Sequence, residues 1–203
     1  MQTNQGYRIN EPLSSIGTGW PAEDAMSRTC RRTILMLAVI AGCAGASPAV
    51  SAVQVPDQLS PGADESLDMI VNARGVQIYE CRAKKDRGGE YEWAFVAPEA
   101  DLFDAAGNRI GKHYAGPHWE AKDGSRIAGT VKENAAAPVA DSIPWLLLAA
   151  KPAGPLGAFS RITSVQRVNT AGGVAPKAGC YEAVAGTRAR VDYSADYYFF
   201  TRK

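Results

Sequence analysis

The sequence predicts a mainly β fold, an antiparallel β-sandwich or small barrel of about eight strands with little helix. Three observations lead there. Apolar and polar residues alternate with a period of two in several separate stretches, as on strands with one face in a core and one in water. Short clusters of Gly, Pro and Asp punctuate those stretches. One strand–turn–strand unit occurs twice, which indicates a meander.

Taken in order, Val53 to Pro61 reads as an extended lead-in, because Pro56 and Pro61 interrupt any regular helix. Ala63 to Asn72 is the one helix-like stretch, with Leu67, Ile70 and Val71 at helical spacing. After Gly75, Val76 to Cys81 alternates as a strand, the charged segment Lys84 to Glu90 turns the chain, and the aromatic-rich Tyr91 to Val96 is its hairpin partner. The repeat follows, with Leu102 to Gly111 aligning on Trp119 to Ala128 at an offset of 17 residues. Gly107 then falls on Gly124, and Arg109-Ile110 on Arg126-Ile127. Asp104 and Asp123 suit tight turns because a short carboxylate can accept from its own backbone. Pro138 to Asp141 marks a loop. Ile143 to Ala150 is apolar and short enough for a buried strand, although periodicity alone does not separate it from a buried helix. Phe159 to Thr170 alternates, with Ile162, Ser164, Gln166 and Val168 on one face and Arg161, Thr163, Val165 and Arg167 on the other. Ala171 to Pro176 turns the chain before Cys180. Ala189 to Thr201 places Val191, Tyr193, Ala195, Tyr197 and Phe199 on one face, a strand packed on a core.

The N-terminus reads as an address. Basic residues from Met26 to Arg32, a short apolar run over 33–42 and small residues as far as Ala52 form the pattern of a secretory signal peptide. The apolar run is far short of the ~20 residues a spanning helix requires. Residues 1–25 are polar and lie upstream of the basic region, so Met26 is the expected start. Two cleavage points compete. Val50-Ser-Ala52 would release a soluble domain over 53–203, whereas Ile40-Ala-Gly-Cys43 resembles a bacterial lipobox and would make Cys43 the lipidated first residue. Either way the protein is expected to be exported: periplasmic, secreted or envelope-tethered, with membrane contact only through an anchor at Cys43.

A length of 203 residues suits one domain with an appendage, and 46% apolar with 21% charged residues is ordinary for a globular chain. The segment before Val53 holds four of the 22 basic and three of the 21 acidic residues, leaving 18 of each. A mature chain with no net charge and no basic stripe lacks the phosphate-neutralising surface that nucleic acid demands. Two cysteines remain in it, Cys81 and Cys180, and in an exported protein such a pair is expected as a disulfide. Closing a loop of roughly 100 residues contributes up to about 4.7 kcal/mol by chain entropy.

Several motifs in fixed order carry a resemblance: Gln77-Ile-Tyr-Glu-Cys81, His113-Tyr-Ala-Gly-Pro117, Trp119 with Asp123-Gly-Ser125, Ile143-Pro-Trp145, Gln166 to Gly173, and Tyr193 to Phe199. From about Val55 to the C-terminus the chain resembles a family of exported bacterial and fungal proteins known as domain of unknown function three-four-five-five. The resemblance implies export and a single domain, and no activity.

Residues His113 to Ser125 gather both histidines, Trp119, Glu120 and Asp123. Imidazole and carboxylate donors suit a divalent ion, yet the histidine spacing across Gly116-Pro117 matches no ligand motif, so neither metal nor cofactor is assigned. His113, Asp123 and Ser125 are the candidate catalytic residues, without the G-x-S-x-G elbow of a hydrolase. His113, His118, Trp119, Glu120 and Asp123 are the candidate ligand-binding residues. Trp119, following Gly116-Pro117, is expected at the surface, where it could stack on a sugar ring; His113 is expected at a strand end with His118 facing solvent. The leading expectation is a non-catalytic binding module for a glycan, a protein or a cell-envelope component. The alternatives are a hydrolase or metal-dependent enzyme using 113–125, and a lipid-tethered structural envelope protein. A deep pocket joining His113 to a carboxylate would favour the enzyme.

Overall fold

The structure, a computed structural model, describes residues 54–203. The upstream segment 1–25, the signal segment 26–52 and Cys43 lie outside the described residues. Eight strands follow a 3-10 turn at Asp57–Leu59: β1 (Glu65–Ala83), β2 (Tyr91–Phe103), β3 (Arg109–Tyr114), β4 (His118–Ala121), β5 (Arg126–Ala135), β6 (Trp145–Pro152), β7 (Ile162–Gly172) and β8 (Arg188–Arg202), with a second 3-10 turn at Glu182–Val184 between the last two. Each pairs antiparallel with the next, and β8 returns to pair along β1, so the sheet closes as a barrel. Because β3 and β4 are short, β2 pairs with β3 only over Ala100–Phe103 and β5 with β4 only over Arg126–Ala128, so the wall is open between the rest of β2 and β5.

The turns obey the chemistry legible in the repeat. Asp104 accepts from the backbone N–H of Ala106 and Asn108, and Asp123 accepts from that of Ser125. Gly107 and Gly124 take the left-handed φ of 82° and 84° that these turns need. One expectation is corrected. Ala63 to Asn72 is not helical: from Glu65 it is the start of β1, paired to β8 from Glu65↔Arg202 onward. A register shift between Leu67 and Met69 inserts an extra residue there, which breaks the two-residue period and leaves Leu67, Ile70 and Val71 spaced as on a helix.

The period of two sends apolar side chains inward, where Val71, Leu102, Trp119, Ile127, Phe159 and Phe199 form one buried cluster. The outer face carries charges in cross-strand pairs such as Arg190–Glu99 and Lys112–Glu120. A second, smaller core lies outside the barrel wall. Leu59 of the 3-10 turn packs with Trp145, Leu147 and Val168, and its carbonyl accepts from Gln166 Nε2 at 2.6 Å. Strands β6 and β7 are therefore buried on both faces.

Because strands alternate in direction, the β2–β3, β4–β5 and β6–β7 connections gather at one end and the remaining four at the other. At the second end Cys81, near the end of β1, is disulfide-bonded to Cys180 in the β7–β8 connection, with Cα atoms 5.3 Å apart. Trp93 Nε1 donates to Ala178 O and Tyr79 OH to Gly173 O, holding the same connection to β1 and β2. A disulfide of this kind suits an oxidising, exported environment. Among the described residues no helix is long and apolar enough to cross a membrane.

Candidate functional site

The strand geometry divides the predicted site residues among three places. His113 and Trp119 are directly opposite each other on β3 and β4 and both face the interior. His118 and Glu120, one residue away on either side of Trp119, face outward. Asp123 and Ser125 belong to the β4–β5 turn at the first end of the barrel.

The outward pair belongs to a surface network. Glu120 accepts from Tyr114 OH at 2.7 Å and pairs with Lys112 Nζ at 3.0 Å, contacts that hold its carboxyl below the usual range, the Tyr114 bond foremost. His118 stacks on Tyr114 and its Nδ1 donates to Ala115 O at 2.6 Å.

At the turn, Asp123 Oδ1 accepts from both the N–H and the hydroxyl of Ser125, and Oδ2 accepts from Ala158 N–H. Ser125 Oγ, fully buried, accepts in turn from Phe159 N–H at 3.0 Å. These bonds fold the β6–β7 connection over the end of the barrel and drive Phe159 into it, edge-on to Phe199 at 5.1 Å. Gly157 is required by this closure, since a Cβ there would sit 2.3 Å from Asp123 Oδ2. The Ser125 hydroxyl thus has its proton on Asp123 and its lone pair on Phe159, and no hydrogen bond connects His113 to either among the described residues. Asp141, at the other end, is exposed and pairs with Lys177 at 2.8 Å.

One placement corrects the sequence reading. Trp119 is buried, with 1% of its surface exposed, while His113, the penultimate residue of β3, is buried at 3%. Gly129 on β5 makes room for the indole: a Cβ there would meet Trp119 Cζ3 at 2.7 Å. The imidazole stacks on the indole with centroids 4.5 Å apart, and Tyr197 meets both rings edge-on. His113 Nδ1 donates to His118 O at 2.8 Å, which fixes the tautomer and leaves Nε2 as an acceptor. Burial drives the His113 pKa down to about 3, so the ring is neutral at physiological pH.

Above this aromatic group the interior is not filled. A cavity of about 390 Å³ opens toward the second end of the barrel, and every strand contributes to its wall. Its apolar surface comes from side chains such as Val96, Val131, Leu146 and Leu148, with Phe95, edge-on to Tyr79, exposed at the rim. Its polar groups are Gln77, His113, Trp119, Arg167 and Tyr197. Gln77 Nε2, Trp119 Nε1 and the Tyr197 hydroxyl are buried without a hydrogen-bond partner. Tyr193, Tyr197 and Arg167 lie near enough to affect one another's ionisation without reaching hydrogen-bond geometry. Burial pushes both phenols well above their ordinary range. Among the described residues no carboxylate lines the cavity. Among the described residues no group of three His, Cys, Asp or Glu side chains is placed to hold a metal ion.

Sequence reasoning missed Gln77 and Arg167 as site residues, and saw Tyr197 only as an aromatic of the last strand. The available signal was the alternation itself: Arg167 is two residues from Val165, and Tyr197 two from Phe199, so each shares a face with a core residue.

Residues 61–201 match the family described as protein of unknown function DUF3455. The chain belongs to the DUF3455 family. No curated protein and no solved structure matches it. The family description assigns no activity, so what this DUF3455 protein does has to be argued from its cavity.

Proposed function

We propose that this protein is an exported binding barrel that holds one small, largely apolar molecule in its interior. The observation that carries the reading is the cavity in which Gln77, Trp119 and Tyr197 present buried, unpaired polar atoms. Leaving a buried donor unmatched costs roughly 1–3 kcal/mol, and native folds leave few such groups. Five such atoms occur among the described residues; the three on this cavity wall are accounted for if a ligand supplies the missing partners, while Trp145 Nε1 and the Tyr193 hydroxyl lie off it. The volume falls within the ~300–1,000 Å³ range of small-molecule sites. Eight antiparallel strands in up-and-down order also form a barrel wide enough for one small ligand.

Charges outside and apolar side chains inside give the barrel the polarity of one that sits in water, the reverse of a membrane barrel. The signal-like segment 26–52 and the disulfide support export. Cleavage before Cys43 would tether the barrel, and cleavage after Ala52 would free it. Reaction chemistry at His113 has less behind it, because no carboxylate joins it in the cavity. A sugar platform is also less supported, since Trp119 and Trp145 are both buried.

Isothermal titration with 1-naphthalenemethanol tests the reading. One saturable site is expected, lost when Leu146→Trp fills the cavity mouth. Absence of saturable binding, or binding unchanged in that variant, would overturn it.

A further inference from the structure

The cavity wall is electrically one-sided. Among the described residues Arg167 is its one charged side chain, on the inward face of β7. It lies in a rung with Leu146 on β6 and Tyr197 on β8. Its Nε and one terminal nitrogen donate to Pro144 O at 3.1 and 2.8 Å, which fixes the guanidinium at the mouth. Among the described residues it has no carboxylate within ion-pair distance. On the outer surface Arg82, Arg109, Arg126, Arg188 and Arg190 each pair with a carboxylate, while Arg74, Arg161 and Arg202 are unpaired among the described residues but exposed to water; Arg167 is the unpaired arginine that lies against the cavity. It is half-buried, and after its two bonds to Pro144 O its remaining N–H donors are free to meet an anion at the cavity.

The neutral groups lean the same way. Trp119 Nε1 can only donate, and the Gln77 amide nitrogen likewise, while the Tyr197 hydroxyl can donate or accept. His113 Nε2 is the one ring acceptor. A ligand that answers this wall brings more acceptors than donors, together with an apolar body. At about 30 Å³ per water, 390 Å³ corresponds to roughly a dozen waters, so that body has on the order of a dozen non-hydrogen atoms.

We infer that the ligand is a small organic anion, an aryl or short-chain carboxylate whose apolar end lies on the His113–Trp119 stack and whose carboxylate meets Arg167. The inference rests on the interior-binding reading above and names the chemistry of that same site. It is also consistent with the field of Arg167, which opposes protonation of His113.

The test compares three probes of one shape on the full exported chain by isothermal titration: 1-naphthoate, neutral 1-naphthalenemethanol and cationic 1-naphthylmethylammonium. The anion is expected to bind about tenfold or more tightly than the alcohol, as a charge-assisted contact implies, and the cation most weakly. Arg167→Met should erase the preference for the anion over the alcohol; Arg167→Lys should retain part of it. Equal affinity for anion and alcohol would overturn the anionic assignment and leave interior binding intact. No binding of any probe would overturn both. The wild-type comparison decides the matter even if Arg167→Met does not fold.

Discussion

The two ends of this barrel treat their polar groups in opposite ways. At the closed end, Asp123, Ser125, Ala158 and Phe159 form a chain of hydrogen bonds in which both carboxylate oxygens and the hydroxyl are matched, and an aromatic plug fills the interior. At the open end, Gln77, Trp119 and Tyr197 are more deeply buried than Asp123, yet their polar atoms are unmatched and line a cavity. Both ends carry side chains able to hydrogen-bond; what differs is whether the protein itself supplies the partner. Buried polar groups that complete one another specify a structure, and those left incomplete around a space specify a ligand.

The largest effect should come from the closed end. Phe159 is 1% exposed and packs on Phe199, so Phe159→Ala should cost roughly 3–5 kcal/mol in denaturant unfolding. If the ends are separate in function, the variant still binds 1-naphthalenemethanol within about threefold of wild type, since sites without shared partners couple by only ~0.5 kcal/mol. Phe199 also touches Trp119, with centroids 6.3 Å apart, and is the route by which the ends would couple. A loss of affinity well beyond threefold would mean that plug and cavity are one unit.

His113 offers a smaller effect at the open end. Its folded-state pKa of about 3 lies below the ordinary value of 6.5, so between those values the unfolded chain holds a proton that the folded chain refuses. Stability conferred by the neutral ring is whole above pH 6.5 and falls as pH drops toward 3. At ~1.4 kcal/mol per pH unit, about 2 kcal/mol should be lost between pH 7 and pH 5. Carboxylates such as Asp123 and Glu120, held low by their hydrogen bonds, titrate beneath that window. Unfolding of His113→Gln should show little slope over the same range. A matching slope in the variant would place the titration elsewhere.

Much of the fold was legible because it depends on local chemistry. Alternation marked β7 and β8, the repeated Asp-Gly turns marked the β2–β3 and β4–β5 hairpins, and export logic paired Cys81 with Cys180. The errors arose where distant residues decide. A bulge beside Leu67 disguised the start of β1. Trp119 looked exposed after Gly116-Pro117, and only Gly129 on the neighbouring strand shows where the indole goes. Arg167 looked like a solvent residue because the Ile162–Val168 face of β7 read as the core. That face is largely turned outward and covered by Leu59, whose contact with Gln166 spans 107 positions. The site was legible only in its His113–Trp119 half, since the cavity exists only once all eight strands close.

The smallest expected effect is the most discriminating. A buried hydroxyl with a partner costs about 1–3 kcal/mol to remove, whereas an orphaned one can be deleted at no loss or at a gain. Tyr197→Phe preserves the ring packing against His113 and Trp119 and removes only the oxygen. Its unfolding free energy should stay within about 0.5 kcal/mol of wild type or rise, while affinity for 1-naphthoate falls. Stability and affinity moving in different directions is the signature of a group kept for a ligand. A drop of more than about 1 kcal/mol with unchanged affinity would make the Tyr197 hydroxyl a structural group, and the open end would then resemble the closed one.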